Sequence, residues 1–305
     1  MGRTIDDVGI SLALCSEPMK HFSDFSADDL ADLARSDVSR ALAEDVGGGD
    51  LTAALVDAGR PARARILARE SAVICGRPWV EAAVLACDPQ ARLTWHVGEG
   101  EHCSPDQVVL HIEGRAQALL TAERTALNFL QLLSAVATKT ATFVETVKGT
   151  RAAIVDTRKT LPGLRLAQKY AVKTGGGVNH RIGLYDAVLI KENHIAAAGG
   201  VAPVLQRVRD TAPQARFVEI EVETLAQLDD ALACGATMIL LDNMDIPTLH
   251  EAVRRNAGRA ILEISGGVNL QTVRALAETG VDRISIGGLT KDVKAVDFSM
   301  RFESL

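Results

Sequence analysis

Over residues 117–148, apolar side chains recur at three- and four-residue intervals in ALLTAERTALNFLQLLSAVATKTATFVETVK, which predicts one long helix or two in succession. This segment joins two halves with different periods. Before it, SADDLADLARSDVSR (26–40) opens with a serine cap and carries acids in its first turn, as helices do. EDVGGGDLT then reads as a glycine-rich turn. ARARILARESAVICG alternates apolar and polar residues like strands, PWVEAAVLAC reads as a helix from Pro78, and ARLTWHVGEG and QVVLHIEGR restore the strand period. An α+β module is therefore expected over 26–150, preceded by a leader (1–25) without firm periodicity.

Beyond the long helical segment, AAIVDT, AVLIK, RFVEIEV, MILLD, AILEIS and RISIG are short β-rich runs. VAPVLQRVRD, TLAQLDDALAC, PTLHEAVRRN and NLQTVRALAETG separate the later ones at helical spacing. Six βα units with near-continuous apolar strands predict a closed or nearly closed parallel α/β barrel over 151–290, with an open doubly wound sheet as the alternative.

Composition narrows the function. A chain of 305 residues, 47% hydrophobic, can bury one large core or two ordinary ones. No apolar run approaches the ~20 residues of a membrane span, so a cytoplasmic protein is expected, with no membrane partner. Cys15, Cys75, Cys87, Cys103 and Cys234 are scattered without a CxxC pair, which fits reduced thiols. A net charge of -6 and 4% aromatic residues argue against nucleic acid, whose binding needs basic stripes and stacking rings.

Against that acidic balance, DTRKTLPGLRLAQKYAVKTGGGVNHRIGLYDAVLIKENH places Arg158, Lys159, Lys169, Lys173, His180, Arg181 and Lys191 close together. Such a concentration suggests a pocket for a multiply anionic ligand. Several of these charges fall at strand ends, the rim where parallel barrels place their sites. Around that rim come Thr157, Arg158 and Lys159, then Lys191, Glu221, Asp242, Ser265-Gly266-Gly267, and Gly287-Gly288. The late glycine turns are candidates for a phosphate cradle of backbone N–H groups. Glu221 and Asp242 offer hard oxygens for Mg²⁺ or for ribose hydroxyls, unless they form structural ion pairs. TGGGVN lacks the spacing of a dinucleotide fingerprint, but its glycines would allow close approach to a ligand, and His180 beside Arg181 reads as a ligand to a carboxylate or pyrophosphate.

LLTAERTALNFLQLLSAVAT, DTRKTLPGLR, KYAVKTGGGVNHRIGLYDAVLIKENHI, EIEVET, ILLDNM, EISGGVN and ISIGGLTK closely resemble quinolinate phosphoribosyltransferases, over nearly the whole chain from about Ser36. The resemblance implies a type II phosphoribosyltransferase-like fold, in which an N-terminal α+β sandwich joins a C-terminal α/β barrel and 291–305 return to the N-terminal domain. It further implies a homodimer whose barrel openings are covered by the partner's N-terminal domain. Carried over by position, dicarboxylate binding falls on Arg124 (from the partner subunit), Arg158, His180, Arg181 and Lys191. Lys159 and Lys191 would approach the pyrophosphate and the reacting centre. Glu221 and Asp242 would address ribose and Mg²⁺, and Ser265, Gly266, Gly267, Ser285, Gly287 and Gly288 the 5′-phosphate. Gly288 departs from the pattern, where a small residue with a side chain is usual.

The implied reaction joins quinolinate to 5-phosphoribosyl 1-diphosphate, giving nicotinate mononucleotide, diphosphate and CO₂, a step of NAD biosynthesis. Two other readings stay open on the residues alone. Lys159 or Lys191 could serve a class I aldolase as Schiff-base nucleophile, or the barrel could be a non-catalytic phosphoribosyl- or anion-binding paralogue.

Overall fold

The computed structural model describes residues 25–303; the leader expected over 1–25 lies, but for Phe25, outside them. Helix α1 (Ala27–Val46) begins where expected, with the Ser26 hydroxyl accepting the Asp29 N–H at 3.1 Å. The strands β1 (Pro61–Ala68), β2 (Ala72–Val73), β3 (Arg92–Trp95), β4 (His102–Cys103) and β5 (Val108–Arg115) surround helix α2 (Arg77–Cys87) in sequence. One antiparallel sheet has the order β12-β1-β5-β3, where β12 (Phe298–Glu303) comes from the far end of the chain; β2 and β4 form a separate pair.

The periodic segment before the barrel is one helix, α3 (Ala116–Thr146), 31 residues long. It contains neither glycine nor proline, so nothing breaks its hydrogen-bond ladder. Its buried stripe, including Leu119, Ala126, Leu130, Leu133 and Ala137, packs on α2 and on α4 (Arg165–Thr174). Two hydroxyls fasten β2 and its exit to this helix: Thr138 accepts the Val73 N–H at 2.8 Å and Ser134 the Cys75 N–H at 3.0 Å. Among the described residues no helix is long and apolar enough to cross a membrane.

The C-terminal half is a parallel α/β barrel. Its strands are β6 (Ala153–Val155), β7 (Val188–Ile190), β8 (Val218–Val222), β9 (Met238–Asp242), β10 (Ile261–Ser265) and β11 (Arg283–Ser285), in the order β6-β11-β10-β9-β8-β7. The first strand thus lies beside the last, as wrapping requires. Helices α5 (Glu192–Ala198), α6 (Val201–Thr211), α7 (Leu225–Ala233), α8 (Ile246–Asn256), α9 (Val273–Glu278) and the single turn α10 (Gly288–Lys291) follow the strands. Between β6 and β7 the ladder is open, and the segment after α4 sits against β6 through a parallel bridge from Val178 to Val155.

That segment corrects one expectation. The glycines of TGGGVN approach helix α3, not a ligand: a Cβ on Gly175 would stand 2.3 Å from the Ala137 carbonyl oxygen, and one on Gly177 2.8 Å from Thr140 Cγ2. Only glycine lets the chain pass so close to the helix while closing the barrel.

The barrel interior also differs from a uniformly apolar one. Along β8, Ile220 and Val222 face the helices while Glu219 and Glu221 face inward, because strand side chains alternate. Glu263 on β10 and Arg283 on β11 are paired in register and extend the charged layer.

Candidate active site

A cavity of about 450 Å³ opens at the C-terminal ends of the barrel strands. It brings together Thr157, Arg158, Lys159, His180, Arg181, Lys191, Glu221, Ser265 and Ser285 of the expected set, and adds Leu189, Leu240 and Glu263. Asp242, Gly266, Gly267, Gly287 and Gly288 are not part of this lining, though Gly287 borders it. Gly266 lies beside Asp242, since its Cβ would be 3.6 Å from Asp242 Oδ1, and Gly287 beside Lys159, whose Cδ a Cβ there would meet at 2.9 Å. A Cβ at Gly288 would stand 3.3 Å from Asp292 Oδ2, so a small side chain there needs only a slight shift of Asp292. Arg124 is exposed on α3, within 3.5 Å of Asn128 Oδ1, and does not line its own chain's cavity.

Not every cation of the basic segment reaches the cavity. Lys169 is fully buried and ion-paired with Asp156 at 2.5 Å, so it belongs to the scaffold and not to an anion pocket. Lys173 sits 5.9 Å over the Phe25 ring, outside the cavity. Burial pushes the Asp156 carboxyl up and the Lys169 amine down; their mutual attraction opposes both shifts. This pair positions the site. Asp156 accepts the His180 N–H at 2.8 Å and the Asn179 side-chain amide at 2.7 Å, which fixes the path of the chain into His180 and Arg181.

Three cations around the cavity have no acidic partner among the described residues: Arg158, Lys159 and Arg181. The Arg158 Nε is buried without any hydrogen-bond partner. Such a donor costs stability unless a ligand meets it. Lys191 differs, lying 2.7 Å from Glu221 Oε2. Its backbone is fixed where β7 passes into α5, with the Lys191 N–H donated to His194 Nδ1 at 2.9 Å.

His180 lines the cavity, yet both ring nitrogens are engaged within the protein. Nδ1 accepts the Arg181 N–H at 2.7 Å, which leaves the proton on Nε2, 2.7 Å from Glu219 Oε2. The ring therefore holds Arg181 in place and has no free nitrogen for an anion. Burial, the largest influence, draws its pKa down and so favours the neutral imidazole.

Beneath His180 lies a charged layer that strand alternation makes visible in the sequence once the inward face is known. His180, Glu219 and Glu263 have ligand atoms within 4.8 Å of one another. Arg283 supplies a positive charge at this point, its Nε 2.8 Å from Glu263 Oε2 but misaligned for a hydrogen bond. Both carboxyls are pushed up to about 7, first by burial; Glu219 then raises Glu263 further, while Arg283 lowers both.

An acid whose pKa is raised on folding takes up a proton as the chain folds, and that stabilisation is lost as pH rises through the folded value. The unaltered protein should accordingly lose thermal stability between pH 5 and pH 8, by on the order of 2 kcal/mol from this pair. Glu263→Gln, lacking one of the two buried titrations, should show a flatter pH dependence even if its absolute stability falls because Arg283 is left without that partner. Parallel melting curves for the two proteins across that range would remove the pair from the account.

Glu221 lies one residue before the end of β8 and Asp242 ends the adjacent β9, where it is in register with Ser265. After Asp242 the chain turns back through Asn243 at φ 52, a left-handed conformation that asparagine tolerates. Glu221 lines the cavity and is ion-paired with Lys191, whereas Asp242 lies outside the lining beside Gly266; both offer hard carboxylate oxygens of the kind that suits Mg²⁺.

Residues 136–301 match the family model "Quinolinate phosphoribosyl transferase, C-terminal domain", and residues 50–134 match the corresponding N-terminal domain. A nicotinate-nucleotide pyrophosphorylase [carboxylating] of Mycobacterium leprae is 44% identical over 279 residues, covering 88% of this chain and 97% of the relative. A probable enzyme of that name from Bacillus subtilis is 38% identical over 257 residues, covering 84% and 89%. Among solved structures, the nicotinate-nucleotide pyrophosphorylase from Francisella tularensis superposes with a TM-score of 0.87 at 39% identity, covering 90% of this chain and 97% of that one.

Proposed function

Because the chain belongs to the quinolinate phosphoribosyl transferase family, we propose that it transfers the phosphoribosyl group of 5-phosphoribosyl 1-diphosphate to quinolinate, with loss of CO₂, to give nicotinate mononucleotide. One observation carries the reading at the level of residues: Arg158, Lys159 and Arg181 face one rim cavity without acidic partners. A dianionic acid and a polyphosphate together supply the missing charge. Family membership sets the aldolase reading aside, and the cation cluster is too complete for a paralogue that only holds phosphate.

The protein's work is electrostatic and positional. Arg158 and Arg181 hold the two carboxylates of quinolinate, with His180 fixing the Arg181 backbone. Lys159 stabilises the charge gathering on the departing diphosphate. Lys191, held by Glu221, stands between the dicarboxylate and the ribose, and Glu221 takes the ribose hydroxyls. The turns at Ser265–Gly267 and Ser285–Gly288 receive the 5′-phosphate. Mg²⁺ held by Glu221 and Asp242 would neutralise charge on the diphosphate. The pyridine nitrogen attacks C1 as the C1–O bond breaks and diphosphate leaves; the pyridinium so formed stabilises the electron pair left on C2 when its carboxylate departs as CO₂, and C2 then takes a proton from solvent. No protein nucleophile is required. The described cysteines, Cys75, Cys87, Cys103 and Cys234, are free thiols, which supports a reducing compartment such as the cytoplasm.

The test is direct: purified protein with both substrates and Mg²⁺ should release diphosphate and CO₂ only when quinolinate is present. Release without quinolinate, or none with it, would contradict the reading.

The enzyme works as a homodimer, in which Arg124 completes the partner's site; its exposure on α3, away from its own cavity, supports this. Arg124→Ala and Lys159→Ala should each be nearly inactive. Refolded together in equal amounts, they should regain about a quarter of wild-type activity, since random pairing gives half the dimers one intact site of two. Absence of recovery after confirmed subunit exchange would return Arg124 to its own chain.

A further inference from the structure

Lys159 is exposed and makes no ion pair among the described residues, yet the loop that carries it is pinned from beneath by groups outside the cavity lining. The Thr290 hydroxyl donates to the Lys159 carbonyl at 2.8 Å. Gln168 donates its side-chain amide to the Thr290 carbonyl at 2.8 Å and, through its oxygen, accepts the Leu161 N–H at 2.8 Å. Both Gln168 and Thr290 are completely buried. From the other side, the Lys139 ammonium on α3 donates to the carbonyls of Gly288 at 2.7 Å and Asp292 at 2.9 Å, holding the turn that contains Thr290. The stem of Lys159 lies on Gly287, where any Cβ would collide with it at 2.9 Å.

The geometry points to Gln168 and Thr290 as positioning residues that lock the Lys159 loop to the glycine turn after β11, so that the leaving-group cation and the phosphate turn move as one body. The inference rests on the phosphoribosyl-transfer reading and deepens it. Burial gives it force: a hydroxyl removed here leaves the Lys159 carbonyl without its donor, and the loop must shift to find another.

Thr290→Val keeps the shape and removes the donor. It should lower kcat about tenfold or more while changing either KM much less, because a catalytic group displaced by an ångström loses rate steeply. Thr290→Ser, which restores the hydroxyl, should return kcat to within about twofold of wild type. Gln168→Met should reproduce the loss from the other end of the bracket. The decisive comparison is Thr290→Val in a Lys159→Ala background, where no further loss of kcat is expected, since the group being positioned is gone. Equal losses in both backgrounds, or a serine variant as slow as the valine one, would make Thr290 a structural residue and overturn the inference. Failure of the underlying reading shows separately, as an unaltered protein with no quinolinate-dependent turnover, and would remove the inference with it.

Discussion

Lys159→Ala should turn over at least about a thousandfold more slowly than the unaltered enzyme while melting at nearly the same temperature. The two halves of that expectation have different origins. Rate depends on Lys159 because diphosphate leaves as a concentrated negative charge, and a fixed ammonium in a partly dried cavity stabilises that charge far more than water does. Stability does not, because the side chain is exposed, makes no ion pair among the described residues, and rests only its stem on Gly287. Removing a solvated cation from a cationic rim also relieves repulsion. Single-turnover kinetics alongside calorimetry separates these effects, and a melting loss that tracks the rate loss would make Lys159 a structural residue.

The second large effect concerns substrate choice. Nicotinate, one carboxylate short of quinolinate, should have a kcat/KM lower by about 2–4 kcal/mol in transition-state terms, roughly thirty- to a thousandfold. Arg158 and Arg181 face the cavity with no acidic partner among the described residues, and the Arg158 Nε is buried without a hydrogen-bond partner. A ligand that closes the site but meets only one guanidinium desolvates the other for no return. Comparable efficiency with the two acids, measured at saturating phosphoribosyl diphosphate, would show that the cluster does not select by carboxylate count.

The fold was legible in the sequence wherever a single period governed a segment. The uninterrupted helical spacing after Gln117 became one helix, and the six apolar runs became the six barrel strands in order. The rim charges were legible because each directly follows or ends such a run. What escaped was whatever depends on two segments meeting. Lys169 reads like its neighbours along the chain, and only its contact with Asp156 turns it from a ligand cation into a core ion pair. The three glycines before Val178 look like a ligand loop until α3 is placed against them. Glu219 and Glu263 were hidden inside runs taken as apolar, although spacing by two residues from Glu221 and from Ser265 puts each on the same inward face as its neighbour.

The pairing of β12 with β1 bears on how the molecule comes into being. Arg69 at the end of β1 hydrogen-bonds Ser299, 230 positions later, and β12 completes an edge of the N-terminal sheet. During synthesis, then, the first domain emerges with one strand edge bare and stays so while the whole barrel is made. An exposed edge of this kind invites pairing with other chains. The barrel must fold in the middle of an unfinished neighbour, and closing so long a loop is slow compared with local helix formation. The last strand serves as a clasp fastened only when residues 298–303 have been made, which ties the completion of the first domain to the completion of the second.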